Sequence, residues 1–124
     1  MKTLLAALAA TALLAGACSP RMDPAAAEPA GDPATQVQTV AAEAAEAGRA
    51  WGRKHLGHYI DMTAESLTEE GFAAPANVTV TVEASHMEFC VVATHTDLPA
   101  DHPWHAAAMT SRSPKPFADD DCGL

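Results

Sequence analysis

The sequence predicts an α+β domain in which a longer N-terminal helix and a short second helix pack on a small antiparallel sheet of three or four strands. Three observations carry that expectation. Val78, Val80 and Val82 alternate with Thr79, Thr81 and Glu83; after a turn at 84–87, Phe89, Val91 and Ala93 alternate with Cys90, Val92 and Thr94. This period of two marks a hairpin with one apolar face. Upstream, Val37, Val40, Ala44, Ala47, Trp51 and His55 fall three or four residues apart and form one helical stripe. Between stripe and hairpin lies a short segment with its own helix start and stop signals. An apolar sheet face must be covered, and the helices precede it in the chain.

The first 17 residues carry one positive charge, Lys2, then a short apolar run and small residues. That is the pattern of a secretory signal peptide. Leu14-Ala-Gly-Ala-Cys-Ser19 resembles a bacterial lipobox, which implies removal of residues 1–17 and lipid modification (palmitate or a similar acyl chain) of Cys18 as the first mature residue. The chain departs from that pattern at Ala15, where leucine is usual. Ala15-Gly16-Ala17 equally suits an ordinary signal peptidase, so plain secretion to the periplasm or beyond is the alternative. Residues 18–34 then read as a tether. Pro20, Pro24, Pro29 and Pro33 stand in alanine-rich surroundings without apolar periodicity. At roughly 3.1 Å per residue such a segment reaches about 50 Å.

The domain itself is expected at 35–124. Thr35 is a candidate cap for a helix running to about Gly57, with Glu43 and Glu46 early and Arg49, Arg53 and Lys54 late, as the helix dipole favours. Glu46 can pair with Arg49 and Arg53. Gly48, Gly52 and Gly57 weaken the helix by up to about 1 kcal/mol each, unless small residues on the packing side let it approach the sheet closely. In the second helix Thr63 caps, Ala64 to Glu70 form two turns, Gly71 ends it left-handed, and Phe72 folds back on Leu67.

Taken in order, these pieces resemble the globular portion of type IV pilins and pilin-like proteins. The matching residues are Tyr59, Met62-Thr63, Leu67, Gly71-Phe72, Val78 to Val82, Phe89-Cys90, Thr94-His95, Trp104-His105 and Cys122, spanning roughly residues 36–122. The resemblance implies a third strand containing Trp104 and a disulfide between Cys90 and Cys122, which export permits. Closing that loop restricts the unfolded chain by roughly 3–4 kcal/mol. The chain departs from filament pilins at its N-terminus, where it offers no long apolar helix after the leader. The resemblance therefore implies a pilin-like domain on a lipid anchor, without the segment by which a subunit packs into a pilus core.

Sixteen acidic residues face seven basic ones, a formal charge of −9, and shedding Lys2 with the leader deepens it. This argues against nucleic acid and against direct binding to anionic headgroups. No apolar run reaches the roughly 18–20 residues of a membrane span. For chemistry, the histidines are the sharpest candidates. His55 and His58 lie three apart at a helix end, and His102 and His105 repeat the spacing near Asp97 and Asp101. Neutral imidazoles in such pairs suit zinc or copper; surface residues without a ligand, or a proton-sensitive contact surface, are the other readings. His86 and His95 complete the set. Asp119-Asp120-Asp121 lacks the spaced ligands and glycine of a calcium loop, and the Asn77-Val-Thr79 sequon enters a strand. Ser85, Ser111 and Ser113 have no base-and-orienter arrangement around them. The expected function is thus a non-catalytic one: an exported cell-envelope lipoprotein, membrane-bound through Cys18, working through an envelope protein partner, with no cofactor and no small-molecule substrate. The alternative is a His-rich metal-binding envelope protein.

Overall fold

A computed structural model of the protein describes residues 31–124; the leader, Cys18 and most of the proline-rich segment lie outside the described residues. Two helices, α1 (Pro33–Lys54) and α2 (Ala64–Glu69), are followed by four strands, β1 (Val78–Ala84), β2 (Phe89–His95), β3 (Ala106–Thr110) and β4 (Phe117–Ala118). The strands form one antiparallel meander in the order β1-β2-β3-β4. The expected α+β class and the Cys90–Cys122 disulfide are present, and the expected three or four strands number four.

α1 begins two residues before Thr35. Asp32 is its cap, accepting from the Thr35 N–H at 2.9 Å, and Pro33 is its first residue. The first N–H of a helix has no partner to lose, so a proline read as tether starts the helix instead. The helix ends at Lys54 rather than near Gly57. His55 caps it, Leu56 (φ 58°) and Gly57 (φ 81°) turn left-handed, and the Gly57 N–H closes on the Gly52 carbonyl at 2.8 Å. α2 follows its signals more closely. The Thr63 N–H donates to Ser66 Oγ at 3.0 Å. At the far end Gly71 donates to Thr68 and Phe72 to Leu67, the paired bonds of a Schellman ending.

The helix face that meets the sheet is built from small residues. Ala41, Ala44, Ala45 and Gly48 are buried between the larger Val37, Val40 and Trp51. Close approach follows: a Cβ added to Gly48 would lie 2.8 Å from the Phe89 ring, and one on Gly52 would collide with the ring of Tyr59. Phe89 is fully buried and meets Tyr59 edge-on at 5.0 Å. α1 lies chiefly over β2 and β3, while Leu67, Met62 and Phe72 fill the side towards β1. The register sets Val80 against Ala93 and Val82 against Val91, and Val91 against Met109 and Ala93 against Ala107, so these residues share the face under α1.

The opposite face is closed differently. Cys90, Ala106 and Ala108 alternate onto it and are buried. The chain leaves β4 at Ala118, on the far side of β3 from β2, yet Cys122 is bonded to Cys90 on β2. Residues 119–122 therefore cross β3 on its outer face as a strap, and the all-alanine start of β3 leaves room for a helix on one side and the strap on the other. The strand expected to contain Trp104 begins only at Ala106. The His102 and His105 backbone N–H groups close successive turns on Pro99 and His102, and Trp104 packs from that loop onto the core.

Candidate functional site

The charged residues of α1 divide between stitching and display. Arg49 pairs with Glu46 at 3.3 Å, and also donates to the carbonyls of Ser111 (3.3 Å), Thr110 (3.3 Å) and Ser113 (3.0 Å). Arg49 thus makes its expected pair with Glu46 and also clamps the β3–β4 turn. Ser113 and Ser111, weighed as nucleophiles, are part of the same stitching: Ser113 Oγ accepts from the Thr110 N–H and Ser111 Oγ from the Phe89 N–H. Lys54 reaches Glu70 at 3.0 Å and ties the two helix ends. Arg53 has no partner among the described residues, so its expected pairing with Glu46 is not made.

The six histidines separate to the two ends of α1. At the end where the helix starts, the His95 and His102 Nδ1 atoms accept from the N–H groups of Asp97 (3.0 Å) and Trp104 (2.9 Å). An Nδ1 used this way leaves the proton on Nε2 in the neutral ring, with no second lone pair for a metal. His105 is the opposite tautomer: its Nδ1 donates to the His102 carbonyl at 3.1 Å, and its Nε2 faces Asp120 at 3.6 Å. The Asp119–Asp121 run is engaged by its own backbone, with Asp119 accepting from the Asp121 N–H and Asp121 from that of Gly123.

At the other end of α1, His55 stacks on Trp51 with ring centroids 3.6 Å apart and planes 15° from parallel. Its Nδ1 donates to the Trp51 carbonyl at 2.8 Å, which leaves the Nε2 lone pair facing outward. His58 meets His86 from the hairpin turn, edge to face at 4.3 Å, and the Tyr59 N–H fixes the two loops by donating to the His86 carbonyl at 2.9 Å. His55 and His58 line the same cleft, with the His58 N–H donating to the His55 carbonyl at 3.1 Å, and the fold adds His86, 28 positions from His58, a contact that no local signal marks. Among the described residues no three His, Cys, Asp or Glu side chains cluster as a metal would require.

Around these rings stand aliphatic side chains in water. Leu56 is 88% exposed, Ile60 55% and Met87 54%. Leu56 and Ile60 rim a shallow cleft of about 330 Å³ floored by Trp51 and His55. Leu56 is also the one non-glycine residue with positive φ among those described. A leucine held left-handed costs roughly 1–2 kcal/mol, and nothing on its side chain recovers that within the domain. Among the described residues no helix is long and apolar enough to cross a membrane. Set against family models, curated proteins and solved structures, the chain matches none of them.

Proposed function

We propose that the protein is an exported cell-envelope lipoprotein whose pilin-like domain works by protein contact, without catalysis. The observation that carries the contact reading is the exposed, left-handed Leu56 beside Ile60. Strain and aliphatic exposure together at one spot are features a fold sheds unless something outside it uses them. The leader and the Cys18 lipobox support export and anchoring, and an oxidising compartment suits the Cys90–Cys122 bond.

Mass spectrometry of the protein recovered from membranes tests the anchor. The expected product begins at an acylated Cys18 with two hydrogens missing at Cys90 and Cys122. A product beginning at an unmodified Cys18, or one that keeps its leader, contradicts it. Leu56→Gly tests the contact: removing the strain raises the thermal midpoint, while in-cell cross-linking to envelope protein falls. Unchanged cross-linking would remove Leu56 from the interface.

A second reading, metal binding, rests on the His58–His86 contact with the His55 Nε2 free at the same end. Zinc or copper titration decides it. Binding tighter than about micromolar that His58→Ala and His86→Ala each abolish favours metal, and binding that survives both contradicts it.

A further inference from the structure

The phase of the β1–β2 ladder leaves a row of main-chain groups open on β1. Thr96 donates to the Asn77 carbonyl at 3.1 Å and Ser85 to that of Glu88 at 2.8 Å. Residues 77 and 85 therefore face β2, and alternation makes Thr79, Thr81 and Glu83 do the same. The N–H and C=O groups of Val80, Val82 and Ala84 point the other way, where no described residue meets them. The Val78 N–H is already taken by Pro75 at 3.0 Å. A seven-residue strand with an open edge is a template for another strand. β1 carries none of the usual protection: it has no proline, no lysine and no break in register, and its one charge is Glu83.

We infer that the open edge of β1 is a docking rail for an extended, basic segment of a partner protein, which joins the sheet as an added strand. This rests on the contact reading above and gives it a partner chemistry. Three occupants compete. The chain's own residues 19–30 contain Pro20, Pro24 and Pro29, which lack the N–H a ladder needs. A second copy carries the same net negative charge, at least −9, and sets its own Glu83 against this edge, so two copies repel. A basic strand is drawn in by that charge. In antiparallel pairing its residues opposite Val80 and Val82, both only half-buried, extend the apolar row on the helix side. Its alternate residues stand on the outer face beside Thr79, Thr81 and Glu83, where lysine or arginine meets the glutamate.

The test uses the exported protein with its disulfide intact and a synthetic strand alternating valine and lysine. Backbone NMR reads where the strand binds. Saturation is expected to slow amide exchange at Val80, Val82 and Ala84 by about tenfold or more. A valine–glutamate strand, and a valine–lysine strand N-methylated along its pairing edge, are expected to leave these amides unchanged. Val82→Pro removes one outward donor while sparing the bonds to β2, and it is expected to abolish the protection. Should that variant unfold, the N-methylated strand still decides the question with the wild-type protein. Equal binding of the N-methylated strand, shifts confined to Leu56, Ile60 and Met87, or concentration-dependent protection without any peptide each overturn the proposal. The second of these leaves protein contact standing and removes only the rail, whereas a missing acyl group on Cys18 removes the anchor and leaves the rail untouched.

Discussion

The two edges of the sheet are finished in opposite ways. β4 is two residues long, is preceded by Pro114 and Pro116, and leads directly into the strap that Cys122 bonds to Cys90. β1 is seven residues long and alternates valine with threonine, and among the described residues no strand pairs with its outer side. Short strands, prolines and covering segments are how a sheet prevents further pairing. The β4 edge has the short strand and the prolines, and β1 has neither. The lesson is that one edge is too short and too proline-flanked to pair further, while the other keeps an unpaired row of main-chain groups among the described residues.

Four changes probe the two edges and the helix between them. The largest effect is expected at the closed edge. Cys122→Ser frees the strap and returns the entropy of a loop whose ends are 32 residues apart, about 3–4 kcal/mol of stability. Denaturant unfolding measures it, and the reduced wild-type protein should coincide with the variant.

Gly48→Ala comes next. In an exposed helix this change adds stability, but here the new methyl meets the immobile Phe89 ring at 2.8 Å. Overpacking of that kind costs about 1–3 kcal/mol, so the sign reverses. A gain in the thermal midpoint would show that α1 does not sit so close over β2.

Arg49→Met is expected to cost about 1–2 kcal/mol by leaving three carbonyls of the β3–β4 turn without their donor. Its signature is faster amide exchange at 110–113 while β1 is unaffected, which separates the edges within one experiment.

The smallest effect is a pH dependence at the start of α1. Hydrogen bonds from the Thr35 side chain and then its backbone hold the Asp32 carboxyl below the ordinary value of 3.8, with His102 nearby contributing in the same direction. A depressed folded pKa means the stabilisation is present above the unfolded value and is lost as pH falls through the folded one. Helical circular dichroism should therefore decline at the acid extreme, below about pH 3.8, and Asp32→Asn, which caps without titrating, should lose that part of the decline.

How much of this was legible in the sequence depends on the range of the interaction. Local chemistry was readable: Gly71-Phe72 closes α2 as its pattern demands, and the alternation of β1 and β2 gives the face under α1. The start of α1 was misplaced because Pro33 looks the same in a tether and at a first helical turn; only the Asp32–Thr35 bond separates the two. Arg49 shows the same boundary between local and distant. Its partner Glu46 is readable three residues away, whereas its carbonyl partners more than 60 residues away are not. The histidines show the same boundary, since the spacing of His55 and His58 is readable, whereas the contact of His58 with His86 comes from the hairpin and has no local signal. The free edge of β1 is invisible in sequence, because strand order decides which strand is last.

The most direct test is residue-resolved hydrogen exchange along β1 in the free protein. The account predicts alternation: Thr79, Thr81 and Glu83 are protected by β2, and Val80, Val82 and Ala84 exchange fast. Uniform protection along the strand, at a concentration where the protein is monomeric, would mean that β1 already has a neighbour on its outer side, and the open edge would not exist.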